Sequence, residues 1–341
     1  MIKALSDNPV HIDRLCSLLE LGVHQGTLSR VPGGFHHSMW RLETQRGCFA
    51  VKQLADDMDM NDMATVAQLN ATEVTACEFS RHEIPALYSL HVDRQHLQLL
   101  DGVGYLVYPW TTATACHRNG IEEHHAVTVA STLAHMHRSD IDVPELRDVP
   151  AFPVTAERVI DLVQLARARN VRYSHILEDR LDDLLRIVAL HAPALERLEG
   201  HQVVSHGDLD HKNVLWDEAG EPLLIDWESA RRLNPTYELL LEALDWGGIT
   251  AHFDARPFTT ILRAYVDAGG LIAEEMIPAA SDAIQGAWVS WLLYNVGRAV
   301  GLNDIRQRAI GSSQVDLVLS ALLRMEKQAD RLTEIAMRYA S

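Results

Sequence analysis

Residues 203–227, VVSHGDLDHKNVLWDEAGEPLLIDW, set acids at Asp208 and Asp226 around an amide at Asn213, with short apolar runs between them. Two kinds of chemistry use groups of these types. One is phosphoryl transfer, in which oxygen ligands hold magnesium and a carboxylate orients and deprotonates the attacking hydroxyl. The other is metal-assisted hydrolysis, with His206, Asp208, Asp210 and His211 as ligands. Asp208 and Asn213 lie five positions apart on one loop, and Asp226 ends the strand that follows. A β-hairpin would return Asp226 beside that loop, so that amide and second acid share a metal while Asp208 faces the substrate. Hydrolysis needs more histidines downstream, and after His211 the chain has only His252.

The elements that must position these groups can be read from period and punctuation. Asn8-Pro9 opens a short helix to about residue 19, with Asn as cap and Pro in the first turn. Strand-like runs follow at 26–31, 38–44 and 48–54, the third carrying Lys52 near its end. Pro32-Gly33-Gly34 breaks the first two apart. A helix predicted over 60–82 carries Glu73 and Glu78 and stops before Ile84-Pro85, since a residue preceding proline leaves the α region. Two or three strands fill 86–109, ending in GYLVYP. From 117 the period turns helical, with helices expected at 155–169 and 174–196. Strand signals return in HQVVSH, NVLWD and PLLIDW, and after 236 everything reads as helix, including a tail from about 313 to 339. The fold class is α+β: a small β-rich lobe, a connector near 108–112, and a large helical lobe with a hairpin set into it.

HGDLDHKN followed by LLIDWE resembles the catalytic loop and metal-binding segment of the aminoglycoside phosphotransferase and choline kinase-like superfamily, relatives of the protein kinases. The resemblance implies a two-lobe protein-kinase-like fold, with residues 1–109 as the nucleotide-binding lobe and 110–341 as the catalytic and substrate-binding lobe. It makes Asp208 the catalytic base, Asn213 and Asp226 magnesium ligands, and His206 a brace for the loop. Lys52 resembles the lysine that grips the nucleotide's phosphates, with Glu73 as its ion-pair partner and Glu78 as the competing choice. Gly33 and Gly34, with Ser38, would cover the phosphates. YLVYPW resembles the hinge that holds the purine through backbone groups of Tyr108 to Trp110. LAHMH at 133–137 matches the family's LAxLH helix with Met136 in place of the Leu, and His137 reads as a core histidine. Trp227 departs from the Phe of protein kinases, and no activation segment follows, which points to a small-molecule substrate.

The implied reaction moves the γ-phosphate of ATP or GTP, with Mg2+, to a hydroxyl of an aminoglycoside, amino alcohol or sugar-like acceptor. A nucleotide-binding pseudokinase is the alternative, disfavoured because lysine, base and metal ligands are all present by type and order. Glu228, Glu238, Glu242 and Asp245 are candidate acceptor-binding residues, the last three at i, i+4 and i+7 on one helix face. Such a row would suit a cationic acceptor. The formal net charge of −17 over 341 residues, with no basic run, argues against nucleic acid. Four dispersed cysteines point to thiols in a reducing compartment, and no signal-like or membrane-length apolar run is found. A cytoplasmic monomer or homodimer without membrane partners is expected.

Overall fold

The computed structural model of the chain describes residues 11–26, 28–31, 37–55, 58–146, 154–302 and 307–341. Asn8, Pro9, Gly33 and Gly34 lie outside them, so the first helix cap and the phosphate-covering turn are not among the described features. The chain forms two compact units. The first is Met1–Ala115 with Ile141–Arg147 and Lys212–Arg231; the second is Cys116–Asp140 with Asp148–His211 and Arg232–Ser341.

In the first unit, helix α1 (Ile12–Leu18) precedes strands β1 (Ser29–Val31), β2 (Ser38–Thr44) and β3 (Gly47–Gln53). Helix α2 (Met63–Arg81) follows, then β4 (Gln98–Leu100), β5 (Val103–Pro109) and the short β6 (Thr114–Ala115). The sheet is antiparallel in the order β1-β2-β3-β5-β4. Side chains alternate across it with period two. Leu42, Val51, Tyr105 and Val107 bury against Leu15 and Cys16 of α1. Leu106 and Tyr108 turn the other way, to pack with Leu69 of α2. Lys52 stands directly opposite Leu106, so it is aimed at that second face. Asp62 caps α2 by accepting from the amides of Ala64 and Thr65, which sets where the helix starts.

The second unit opens with α3 (Glu123–Arg138), α4 (Ala156–Ala168), α5 (Ser174–Asp179), α6 (Leu181–Leu198) and strand β7 (Val203–Ser205). The single helix expected over 174–196 is thus two, broken at Arg180. Strands β8 (Val214–Trp216) and β9 (Pro222–Leu224) form the expected hairpin, with Val214 opposite Leu224. It packs in the first unit: β6 pairs with β8, and Leu224 exchanges backbone hydrogen bonds with Pro85 and Leu87. Strand β7 pairs instead with β10 (Arg231–Leu233). The remainder is helical: α7 (Pro235–Trp246), α8 (Ala255–Asp267), α9 (Ile277–Ala299) and α10 (Arg308–Met337). Asn234 caps α7 through its side chain, with Pro235 in the first turn where its missing N–H is harmless. Helices α4, α6, α9 and α10 share one apolar core that includes Val159, Leu184, Leu292 and Val318. Among the described residues no helix is long and apolar enough to cross a membrane.

Candidate active site

In the first unit the hairpin brings Asn213 and Asp226 together. The Val214–Leu224 register places Asn213 beside Ile225, whose amide donates to the Asn213 carbonyl at 2.9 Å. Asp226 comes next, in the left-handed conformation at φ 63°, ψ 60°, which bends the chain sharply out of β9. The bend is pinned by Trp227, which is buried, stacks on Phe79 of α2 at 5.4 Å and donates its indole N–H to the Leu224 carbonyl. Asn213 is buried, while the Asp226 side chain is 46% exposed. Amide and carboxylate both offer oxygen, the donor that magnesium takes, so the pair fits the expected ion.

Lys52 reaches this corner from β3. Its ammonium lies 2.9 Å from Asp226 Oδ1 and 2.5 Å from Glu228 Oε1, the second contact an ion pair rather than an aligned hydrogen bond. Burial opposes the charge on Lys52, but the Glu228 and Asp226 carboxylates outweigh it and hold its pKa above the ordinary lysine value. His37 completes the cluster. Its Nδ1 accepts from the Ala55 amide at 3.0 Å, which leaves Nε2–H to donate to Glu228 Oε2 at 3.0 Å. Burial alone would raise the Glu228 pKa. The His37 hydrogen bond and the Lys52 charge bring it down to about 2.

The expected Lys52–Glu73 pair is corrected here. Glu73 is buried, and both its oxygens are engaged: Oε1 accepts from the Tyr108 hydroxyl at 2.6 Å and Oε2 from the Ser89 amide at 2.7 Å. Two neutral donors satisfy it, and Lys52 takes the other two carboxylates. Burial pushes the Glu73 pKa up. Glu78 faces away and pairs with Arg81 at 2.5 Å. The hinge expectation also changes in detail, because the Trp110 amide donates to the Cys48 carbonyl at 3.1 Å and extends the β3–β5 ladder. Ser38 opens β2 opposite Gln53.

In the second unit, the loop from His206 to His211 lies against the acidic face of α7. The Gly207 amide donates to Glu238 at 2.7 Å, the Leu209 amide to Glu242 at 2.8 Å, and the His211 amide to Asp245 at 3.2 Å. Alternate amides of the loop thus meet carboxylates spaced i, i+4, i+7 on a helix. The Trp246 indole donates to the Leu209 carbonyl at 3.0 Å and closes the same face. Between the rungs, the Asp208 amide donates to His206 Nδ1 at 3.3 Å. Of residues 204–209 only Asp208 is exposed.

These contacts redirect the acceptor-binding row. Glu238 and Glu242 are 0% and 2% exposed, out of reach of a solute, because the loop amides need them. Glu238 also holds His137 Nε2 at 2.7 Å, and the other nitrogen of that ring meets the Tyr265 hydroxyl. Asp245 is tied to Arg118 at 2.8 Å and to His211 Nδ1 at 2.9 Å. Burial raises the pKa of Asp245, but His211 and Arg118 lower it to about 2. Glu242 goes the other way: burial, then Asp208, Glu238, Asp245 and Asp210 around it, push its pKa well above the carboxylate range. Glu228 belongs with Lys52 in the other unit. The hydrolase ligand set does not assemble. Among the described residues the metal-competent cluster is Asp210, His211 and Asp245, which lacks His206 and carries the Arg118 guanidinium against it. Sequence reasoning missed His37 and Arg118, whose partners are 191 and 127 positions away and leave no local signal.

The profile described as "Phosphotransferase enzyme family" matches residues 27–276, well over half of the chain. No curated protein matches it. Solved structures with the same fold include a spectinomycin phosphotransferase bound to ADP and spectinomycin, 14% identical over 96% of this chain and 98% of that one, at a TM-score of 0.64. An aminoglycoside phosphotransferase from Alicyclobacillus acidocaldarius is 15% identical over 99% of both chains, also at 0.64. An ethanolamine kinase from Plasmodium vivax is 12% identical over 90% of this chain and 84% of that one, at 0.58. The small antiparallel-sheet N-terminal part and the mostly helical C-terminal part are the two-lobe, protein-kinase-like fold of these structures. With its loop, hairpin and lysine in that fold's order, the chain belongs to the phosphotransferase enzyme family.

Proposed function

We propose that this chain transfers the γ-phosphate of Mg-ATP or Mg-GTP to a hydroxyl of a small molecule. The observation that carries the reading is the ladder beneath the catalytic loop, which fixes the loop's backbone and leaves the Asp208 carboxylate as its exposed side chain. Such a carboxylate is preorganised to accept the proton of an acceptor hydroxyl. As that O–H bond breaks, the acceptor oxygen bonds to the γ-phosphorus, the bond from phosphorus to the β,γ-bridging oxygen breaks, and the nucleoside diphosphate leaves. Asn213 and Asp226 would hold Mg2+, which neutralises phosphate charge when bound. Lys52 would exchange part of its present carboxylate shell for the phosphates, and Glu228, held by His37, keeps its ammonium aligned. The purine would lie along the segment from Tyr108 to Trp110. The relatives that act on spectinomycin or ethanolamine support a small hydroxyl compound as acceptor.

The test is a phosphotransfer assay on acceptor panels with both nucleotides. Asp208→Ala should lower turnover by about 10²–10⁴-fold, the range of general-base catalysis, while Mg-nucleotide affinity stays within a few-fold. Asp226→Ala should weaken Mg-nucleotide binding as well. Near wild-type turnover in the Asp208 variant would overturn the reading.

A further inference from the structure

Two demands fall on Asp226. With Asn213 it offers the oxygens suited to Mg2+, and it also holds Lys52, whose ammonium lies 2.9 Å from Oδ1. A divalent ion on the same carboxylate would stand within a few ångströms of that ammonium, and like charges at such range oppose binding. We propose that Lys52 keeps the metal site closed to a lone divalent ion, so that the ion enters only together with the nucleotide's phosphates. This inference rests on the phosphotransferase reading and gives its site an order of loading.

Lys52 has no route of retreat. Its side chain is 9% exposed and rises from the middle of the sheet, with Met39 of β2 and Leu106 of β5 directly opposite. Its second carboxylate, Glu228 Oε1, lies 2.5 Å away. Glu228 is fixed in turn, since Oε2 accepts from His37 Nε2 and the same imidazole accepts from the Ala55 amide, both at 3.0 Å. Ala55 follows Lys52 by three residues, so the contacts close a ring that begins and ends just at β3. Glu73 could have drawn the ammonium aside, but Tyr108 and Ser89 occupy its oxygens. The ammonium therefore stays beside Asp226.

Charge then sets the order. Two carboxylates face one buried ammonium. A lone ion must share Asp226 with Lys52 or take it, and taking it leaves the ammonium short of a partner. Phosphates change the balance, because a nucleoside triphosphate carries more negative charge than the ion carries positive. They receive the ammonium as the ion receives the carboxylate. Glu228 keeps hold of Lys52 throughout the exchange.

The experiment uses the full chain without nucleotide and Mn2+ as the probe, with free ion read by electron paramagnetic resonance. Lys52→Gln should bind Mn2+ about 10-fold or more tighter than wild type, and adding Asp226→Asn should abolish the gain. Lys52→Arg keeps the charge and should bind as poorly as wild type. Arg30 on β1 is exposed and stands opposite Trp40, which pairs with Val51, so it belongs to the other face of the sheet from Lys52. Arg30→Gln removes an equal charge there and should leave affinity within about two-fold. Equal affinity in wild type and Lys52→Gln, a gain that survives loss of Asp226, or an equal gain in Lys52→Arg or Arg30→Gln would overturn the closure. Wild type decides it alone if Lys52→Gln does not fold: Mn2+ binding with a Kd below about 0.1 mM that Asp226→Asn abolishes would also overturn it. If the Mn2+ results hold but wild type transfers phosphate to no acceptor, the closure stands and the phosphotransferase reading falls. If transfer occurs while Mn2+ binds wild type and Lys52→Gln alike, the reading stands and the closure falls.

Discussion

Three carboxylates compete for Lys52 in the sheet unit, and the outcome is set by hydrogen-bond donors rather than by spacing. Tyr108 and Ser89 satisfy Glu73, while Asp226 and Glu228 keep the ammonium. Glu228 is the more buried of those two partners, its side chain 26% exposed. Its ordinary value of 4.5 falls to about 2 in the folded chain. The stability it contributes is therefore full above about pH 4.5 and is lost as pH falls toward 2. Glu228→Gln should be less stable than wild type at pH 6, and the gap should shrink as both are titrated by urea denaturation from pH 4.5 to 3. A gap that stays constant would mean that the Glu228 charge is not what stabilises the corner. At this scale the return of Asp226 to the side of Asn213 was legible, because the hairpin register fixes it. The partner of Lys52 was not, since an identical carboxylate at three positions carries no mark of which donor will reach it first.

Helix α7 shows what a pattern can and cannot say about an element. The i, i+4, i+7 spacing correctly placed Glu238, Glu242 and Asp245 on one face. It could not say that the face meets backbone amides, since that depends on where β7 delivers the loop. The rungs differ in charge state, which makes the ladder testable. Glu238 stays ionised beside His137, its pKa lowered despite burial, whereas the Glu242 pKa is raised well above the usual range. Glu242→Gln removes a proton-bearing group and keeps an oxygen for the Leu209 amide, so stability at pH 7 should change by less than about 1 kcal/mol. Glu238→Ala strands both the Gly207 amide and His137, and should cost about 3 kcal/mol or more. Urea denaturation of the two variants decides it; equal losses would show that the rungs are interchangeable. The break between α5 and α6 at Arg180 was illegible for a related reason: neither Gly nor Pro marks it, and both halves carry helical periodicity.

Over the whole molecule the sequence was read best where local and global signals agree. Strand alternation, the run of helices after 236 and the hairpin all appear in the fold, each within a few residues. The pairing of β7 with β10 was missed because three-residue strands have too little periodicity to choose a partner. Charge is the other property that belongs to this scale. With a net −17, repulsion among surface carboxylates opposes folding and is screened by salt. Raising ionic strength from about 0.01 to 0.3 M shortens the Debye length from roughly 30 Å to under 10 Å. The melting temperature should rise by about 1–2 °C for each kcal/mol of repulsion removed. A fall on adding salt would mean that ion pairs such as Lys52 with Glu228 outweigh the general repulsion.

The backbone at Asp226 carries a different kind of consequence. A left-handed turn accepts glycine and asparagine at least as readily as aspartate and resists branched side chains. A single-base change from an aspartate codon reaches either tolerated residue. One nucleotide could therefore remove the proposed metal ligand while hairpin, tryptophan stack and sheet persist. Such a descendant would keep the scaffold, but the buried Lys52 would be left with Glu228 alone, so the lost acid should show as lowered stability.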